Sequence, residues 1–209
     1  MPNHQQYVYE GKGQLEVLKE PWYVGKTKYG IAVPDYMKGV DFISELDHPG
    51  TEMITGIEPG TVLMERIASD VIPCYHLSTN LVQGSTPAML AELQQDYGMK
   101  DPIVFLAWKP HCMNRAYNFH YLSDPKNAMR PFNEPQTIHT VARKGLAEDQ
   151  PAVYALMNHM RLDAGQVAGL EISNDASEPQ TGVRRWLKEG KNRELMRPWV
   201  EAAKRAQEE

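Results

Sequence analysis

The sequence predicts an α/β protein, and three features of it carry that prediction. The apolar run 102–108 is framed by prolines, which is typical of a strand buried on both faces of a sheet. Upstream of it, Ser85 as a cap and Gly98 as a terminator bracket the clearest helical pattern in the chain. Strand and helix patterns alternate from residue 51 to 108, which favours parallel βαβ units.

The elements before residue 85 are short and are separated by Gly and Pro. Pro34 ends one of the predicted strands, because proline cannot extend a β ladder. In order, the patterns predict a short helix or turn at 4–9, a strand at 14–18, a strand at 29–33, one or two helical turns at 42–46, a strand at 53–57 and a helix that begins near Thr61 with Val62, Leu63, Ile67 and Val71 on its apolar side.

The second half begins with a long loop and ends in helices. Residues 114–135 are rich in Pro, Asn and aromatics, and loops of this length are usually functional or mobile. Asp149 and Asp163 are placed to cap two of the helices that follow. The predicted elements are a strand at 138–142, helices at 151–160, 164–172, 181–188 and 194–207, and a polar connector at 174–180.

Composition narrows the functional classes. The chain has 209 residues, a net charge of −5 and no basic cluster, which argues against nucleic acid as a partner. Cys74 and Cys112 have neither metal-ligand spacing nor the pattern of a disulfide framework. The histidines show no pairing typical of a metal site, so we expect neither a metal nor a cofactor. No apolar run reaches the roughly 18 residues of a membrane span, and residues 1–6 are not a signal peptide.

Two stretches suggest ligand binding. Trp108 falls at the carboxyl end of its strand, the edge where α/β sheets bind ligands, and an indole is the best side chain for holding a cation. The turn 56–60 lies between a strand and a helix, where backbone N–H groups suit a carboxylate. Each has a plainer interpretation: Trp108 as a core residue, and Gly56 as the residue that permits a tight turn.

Histidines and a cysteine near these elements leave further alternatives open. His4 and His111 could each donate to a carboxylate, although for either histidine alone a surface or turn position is the favoured interpretation. An enzyme would use Cys112 as nucleophile, His111 or His120 as base, and Asp124 to orient it. Adjacent Cys and His side chains at a strand end need not face each other, which disfavours the enzyme.

The chain resembles a known family over nearly its whole length. The matching segments occur in the family's order: Tyr29-Gly30-Ile31-Ala32-Val33-Pro34-Asp35-Tyr36-Met37, Thr55-Gly56-Ile57-Glu58-Pro59-Gly60, Trp108-Lys109-Pro110-His111, Tyr121-Leu122-Ser123-Asp124-Pro125-Lys126 and Ile138-His139-Thr140-Val141-Ala142-Arg143-Lys144-Gly145. On these segments it is similar to the substrate-binding proteins of ABC transporters for glycine betaine and related quaternary amines, the OpuAC and ProX type.

The resemblance implies a type II periplasmic-binding-protein clamshell, with one lobe largely complete and the other partial. Residues 30–135 would form the ligand-binding lobe, and 1–29 with 136–209 the hinge segments and the partial second lobe. Trp108 matches an aromatic position that boxes the trimethylammonium head. The amides of Gly56 and Ile57 match the carboxylate site, and His4 matches a carboxylate-binding histidine; His111 is a further candidate.

The implied function is capture of glycine betaine, choline or proline betaine for an ABC permease. The resemblance places a monomeric binding protein in the periplasm or on the extracellular face of the membrane, without enzymatic activity. The alternative is a cytosolic enzyme or a regulatory ligand-sensing module that reuses the same lobe.

The chain departs from the family pattern at two places. The aromatic expected just before Pro2-Asn3-His4 is absent, and Cys112-Met113-Asn114 replaces a more aromatic segment. We therefore expect either the C-terminal portion of a longer protein or a divergent short form. With one ring of the aromatic box, betaine affinity should be weak or undetectable, since each ring contributes up to ~2 kcal/mol.

Overall fold

The computed structural model describes residues 5–11, 13–23, 25, 27–132, 134, 136–173 and 179–208, and these residues divide into two compact units. The first unit comprises the described residues within 1–26, 110–112 and 136–209. The second comprises those within 27–109 and 113–135. The chain therefore leaves the second unit for only three residues, 110–112, before it re-enters.

Strands and helices alternate over much of the chain, which confirms the α/β class. The strands are β1 (Leu15–Tyr23), β2 (Lys28–Pro34), β3 (Met53–Thr55), β4 (Asn80–Val82), β5 (Val104–Lys109), β6 (Phe119–Tyr121) and β7 (Ile138–Arg143). The helices are α1 (Gln5–Glu10), α2 (Val62–Arg66), α3 (Ile72–Tyr75), α4 (Thr86–Met99), α5 (Met113–Ala116), α6 (Leu146–Asp149), α7 (Pro151–His159), α8 (Ala164–Ser173), α9 (Pro179–Lys188) and α10 (Gly190–Glu208). A π-helical turn, Ile67–Val71, joins α2 to α3, and a 3-10 turn covers Ile43–Glu45.

The second unit is built on a five-stranded mixed sheet with the order β4-β3-β5-β2-β6. β3 runs parallel to both β4 and β5, so the predicted parallel βαβ units are confirmed there. β2 runs antiparallel to both β5 and β6. The four residues from Val104 to Ala107 are all buried, as expected for a central strand that is covered on both faces.

Helix α4 covers this sheet and begins where the sequence predicts. The Ser85 hydroxyl accepts a hydrogen bond from the Ala88 N–H at 3.2 Å, so the predicted cap is confirmed. The predicted terminator is wrong, because the helix passes Gly98 and ends on Lys100 with φ +64°. The Lys100 ammonium lies 4.5 Å from the centroid of the Tyr97 ring and 4.7 Å from that of Tyr36.

The stretch predicted as a loop at 114–135 is more regular than expected. It contains most of α5 and all of β6, which is too short to show a sequence period. The Asp124 carboxylate organises the turn beyond β6. It accepts hydrogen bonds from the Tyr75 hydroxyl at 2.6 Å and from the N–H groups of Ala128 and Met129 at 3.0 and 2.7 Å.

In the first unit β1 pairs with β7 in an antiparallel two-stranded sheet. A separate apolar cluster, which includes Tyr23, Trp186 and Trp199, forms its core. The predicted cap at Asp163 is confirmed, because its carboxylate accepts from the Gln166 N–H at 2.8 Å. None of the helices in the described part of the chain is both long and apolar enough to cross a membrane.

Two predictions in this unit, the Asp149 cap and the polar connector at 174–180, are not confirmed. Asp149 is the last residue of α6, and Gln150 takes the position before α7 without a side-chain cap, so the predicted Asp149 cap is wrong. Most of the predicted connector, 174–178, lies outside the described residues. Its last two positions, Pro179 and Gln180, already belong to α9.

Candidate functional site

The candidate site lies in the second unit, at the sheet edge where β3 and β5 end. Register pairs these parallel strands at Ile54 with Val104 and at Thr55 with Phe105. Gly56 therefore lies one residue beyond the last pair, Thr55 with Phe105, and Trp108 lies three residues beyond it. With a rise of ~3.3 Å per residue and a strand spacing of ~4.8 Å, the Cα atoms of Gly56 and Trp108 are about 8 Å apart. The sheet thus brings the two predicted stretches to one edge.

Trp108 differs from the rest of its strand in exposure. It is only partly buried, and it packs against the core beside Tyr29, its register partner on β2. Its carbonyl oxygen accepts a hydrogen bond from Asn114 Nδ2 at 2.7 Å. The main chain at the strand end is therefore held from α5, while Trp108 as a residue stays partly exposed.

The turn after β3 is more crowded than an open anion site. The Gly56 N–H donates to the Val82 carbonyl at 3.0 Å, and the Ile57 N–H contacts Met64 Sδ at 3.4 Å. A Cβ on Gly56 would lie 2.5 Å from that Val82 oxygen, so the glycine is needed for close packing. For both amides to bind a carboxylate, as the family resemblance implies, these two contacts must be exchanged for the ligand. The sulfur contact is the weaker of the two.

Glu58 ties the same turn to the start of α4. Its carboxylate accepts from the Thr86 N–H and from the Thr86 hydroxyl, each at 2.8 Å. The pKa of Glu58 lies below its usual value, and the hydrogen bond from the Thr86 N–H is the main cause. The amino end of α4 therefore already holds a carboxylate from the protein itself.

Tyr121 on β6 is part of this edge and was given no role from the sequence. Its hydroxyl donates to Asn114 Oδ1 at 3.0 Å, which continues the chain of hydrogen bonds from Trp108. The ammonium groups of Lys28 and Lys109 lie 4.4 and 5.9 Å from the centroid of its ring. Burial, and then the charge of Lys109, lower the pKa of Lys28. The Tyr121 segment belongs to a motif of the family resemblance, and that was the only sequence signal for it.

Neither predicted histidine is among the described residues of this unit. His111 belongs to the first unit, where burial lowers the pKa of its imidazole. His4 lies outside the described residues. Their binding of a ligand carboxylate stays a prediction, as does the binding role of Trp108, Gly56 and Ile57.

The residues of the enzyme hypothesis do not assemble into a triad. Cys112 Sγ lies 3.8 Å from His111 Nδ1, so these adjacent side chains do face each other, which the sequence had left open. His120, however, contacts Asp35 and the Val40 carbonyl at 3.0 Å each. Asp124 serves the turn described above, so no described carboxylate of that hypothesis orients His111.

Comparison with solved structures defines the class of protein. The lactococcal OpuAC structure in its closed form with glycine betaine superimposes with a TM-score of 0.79 and 26% identity, over 96% of this chain and 77% of that one. The ProX structure from Borrelia burgdorferi superimposes with a TM-score of 0.76 and 27% identity, over 96% of this chain and 75% of that one. An ABC-transporter choline-binding protein with bound choline superimposes with a TM-score of 0.77 and 25% identity, over 96% of this chain and 72% of that one. The fold is therefore that of the type II periplasmic binding proteins.

Sequence comparison places the chain within that class. Residues 1–189 match the OpuAC family, described as the substrate-binding domain of ABC-type glycine betaine transport systems, and the chain belongs to this family. The glycine betaine/carnitine transport binding protein GbuC of Listeria monocytogenes serotype 1/2a (strain 10403S) is 31% identical over 156 residues. That match covers 73% of this chain and 50% of GbuC, so the chain spans about half the length of this curated relative. GbuC and the choline-binding protein are binding proteins of transporters.

Proposed function

We propose that this chain is a solute-binding component of an ABC importer for glycine betaine or a related quaternary amine such as choline or proline betaine. The observation that carries the proposal is the family match over residues 1–189. In this role the chain works as a monomer without enzymatic activity, in the periplasm or anchored at the extracellular face of the membrane. There it delivers its osmoprotectant to a permease subunit.

The geometry of the sheet edge supports a zwitterionic or cationic ligand. The partly exposed indole of Trp108 offers its face to a quaternary ammonium group, a contact that contributes up to ~2 kcal/mol when desolvated. The amides of Gly56 and Ile57, about 8 Å away along the edge, receive the carboxylate of a betaine. His4 and His111 are proposed as further donors to that carboxylate.

The first prediction concerns ligand chemistry and the Trp108 indole. Calorimetric titration with glycine betaine and choline, up to concentrations on the order of 10 mM, covers the weak affinity expected of one ring. 3,3-Dimethylbutan-1-ol has the shape of choline with carbon in place of the charged nitrogen, and it should bind much more weakly. Trp108→Ala should weaken binding by roughly 30-fold, since one cation–π contact of ~2 kcal/mol is lost.

Trp22→Phe is the matched control, because Trp22 is also partly buried but packs in the core of the first unit. It should leave the affinity unchanged. Equal binding of choline and its neutral analogue would contradict the proposed recognition of charge. If the Trp108→Ala and Trp22→Phe proteins bound the ligand with equal affinity, Trp108 would not be part of the binding site.

A further inference from the structure

Three side chains of the first unit bring a thiol, an imidazole and a carboxylate together. His111, Cys112 and Glu171 each place one donor atom within 4.8 Å of the others, and among the described residues this is the one group of three His, Cys, Asp or Glu side chains that meets that distance. Cys112 Sγ lies 3.8 Å from His111 Nδ1. All three side chains are half-buried, so the group forms a sheltered cluster.

Two pieces of chain far apart in sequence hold the cluster. His111 and Cys112 follow Pro110, directly after β5 has ended. Glu171 lies in the last turn of α8. The Cys112 N–H donates to Glu171 Oε2 at 2.5 Å, and this bond joins the helix to the segment 110–112.

The charge state of the cluster suits a bound cation. None of the ion pairs among the described residues involves Glu171, so within that part of the chain its half-buried carboxylate has no lysine or arginine as a counter-ion. A buried carboxylate that lacks a cation is costly unless it is neutralised.

We propose that His111, Cys112 and Glu171 bind a divalent transition-metal ion of the zinc type, with water as the fourth ligand. Three protein ligands and one open position are a common zinc arrangement, and sulfur and nitrogen donors exclude Ca²⁺ and Mg²⁺, which prefer oxygen. In a tetrahedral site with Zn–S of ~2.3 Å and Zn–N of ~2.0 Å, the two donors stand about 3.5 Å apart. The observed 3.8 Å is close to that separation.

Metal binding replaces a proton in this arrangement. The Cys112 thiol donates to the Glu171 carboxylate, and on binding it releases its proton to solvent, after which sulfur and oxygen share the metal ion. The Cys112 N–H can still hold one carboxylate oxygen and so orient the other toward the ion. A backbone contact of this kind is the usual outer-shell support of a metal ligand.

The second prediction is tested with Co²⁺ as a spectroscopic substitute for Zn²⁺. Titration of the tag-free chain, reduced beforehand, should give a thiolate-to-cobalt charge-transfer absorption that saturates at one equivalent, and Zn²⁺ should displace it. Cys112→Ser should lose this absorption. Cys74→Ser should keep it, because Cys74 is the chain's other cysteine, is exposed and is not a member of the cluster.

Glu171→Gln guards against a folding artefact. The amide oxygen can still accept from the Cys112 N–H, so the protein should keep its far-ultraviolet circular dichroism while Co²⁺ affinity falls at least ~10-fold. Absence of the charge-transfer absorption in the unmodified chain would overturn the proposal. So would its persistence in Cys112→Ser, its loss in Cys74→Ser, or an unchanged affinity in folded Glu171→Gln. None of these outcomes bears on solute binding at Trp108.

Discussion

At the scale of single residues, Gly56 shows how a predicted binding residue can also be a packing requirement. Its missing side chain leaves room for the Val82 carbonyl and for Met64 Sδ, which would lie 2.5 and 2.7 Å from an added Cβ. The backbone oxygen cannot move aside as a flexible side chain can. The motif that suggested an anion site therefore has a structural reason to contain glycine even without a ligand.

The third prediction follows from that crowding. Gly56→Ala should lower the free energy of unfolding by about 3 kcal/mol, because the strand end must shift to relieve the overlap. Gly98→Ala is the control, since this glycine lies inside α4 with nothing within 4 Å of an added Cβ. It should raise the free energy of unfolding by about 1 kcal/mol. Urea unfolding of both variants measures these free energies. An unchanged free energy of unfolding in Gly56→Ala would contradict the steric argument.

His120 is a second residue whose surroundings determine its chemistry. Nδ1 faces the Asp35 carboxylate and Nε2 faces the Val40 carbonyl, so both ring nitrogens meet acceptors. Burial alone would lower the pKa of His120. The bond to Val40, the bond to Asp35 and the charges of Asp35 and Asp41 outweigh it and raise the pKa. Only the imidazolium, with two N–H groups, satisfies both acceptors.

The fourth prediction is the pH dependence that this raised pKa produces. A folded-state pKa above the unfolded value of ~6.5 adds stability that is fully present below pH ~6.5 and is lost as the pH rises through the folded pKa. The unfolding free energy of the unmodified chain should therefore exceed that of His120→Gln more at pH 5.5 than at pH 8.5. With 33% of the His120 side chain exposed, solvent screening keeps the change below about 1 kcal/mol.

Asp35→Asn provides the control for this dependence. It removes one of the charges that raise the His120 pKa but keeps an acceptor oxygen in place. In the Asp35→Asn background, the difference in unfolding free energy between the protein with His120 and the protein with His120→Gln should depend less on pH. If this difference in unfolding free energy instead grew with pH in either background, burial would outweigh the hydrogen bonds and charges. The histidine would then be neutral in the folded protein.

At the scale of elements, two helices end on residues that pay a conformational cost. His76 after α3 and Lys100 after α4 have positive φ values of 55° and 64°. For residues other than glycine, this left-handed conformation costs ~1–2 kcal/mol. Lys100 offsets the cost through its ammonium, which faces two tyrosine rings, whereas the described contacts of His76 are those of its backbone.

The fifth prediction compares glycine at the two helix ends. His76→Gly should raise the free energy of unfolding by about 0.5–1 kcal/mol, because the strain is removed and little else is lost. Lys100→Gly removes the same strain but also two cation–π contacts of ~0.5–1 kcal/mol each, so it should be neutral or destabilising. Thermal unfolding measures both. Equal stabilisation by the two substitutions would show that the lysine–tyrosine contacts contribute nothing.

The same elements show how far local patterns predict structure. Ser85 and Asp163 were predicted as caps from the residues that directly follow them, and both caps form. Asp149 was predicted on the same basis but is the last residue of α6. The end of α4 was misplaced because Lys100 is held in its unusual conformation beside Tyr36, 64 residues earlier in the chain. β6 was missed because a strand of three residues has no measurable period. Local signals succeed where the determining contacts are local.

At the scale of the whole molecule, each unit has its own apolar cluster. One forms around the mixed sheet and includes Ile31, Phe105 and Leu106, and the other includes Tyr23, Trp186 and Trp199. The α/β class and the family were predictable, because both depend on motifs that occur in order along the chain. Trp108 and Gly56 could be placed at one sheet edge from strand patterns alone. Glu171 could not, because nothing in its local sequence marks it as the neighbour of Cys112, 59 residues away.

The pairing of β1 with β7 has a consequence for how the protein is made. Strand β1 emerges from the ribosome well before its only described strand partner, β7, which begins at Ile138. At ~5–20 residues per second, β1 waits on the order of ten seconds with its backbone hydrogen-bonding groups unpaired. The mixed sheet can assemble during that delay, because all of its strands lie between Lys28 and Tyr121. Until β7 has been made, β1 is therefore open to pairing with a strand from another polypeptide.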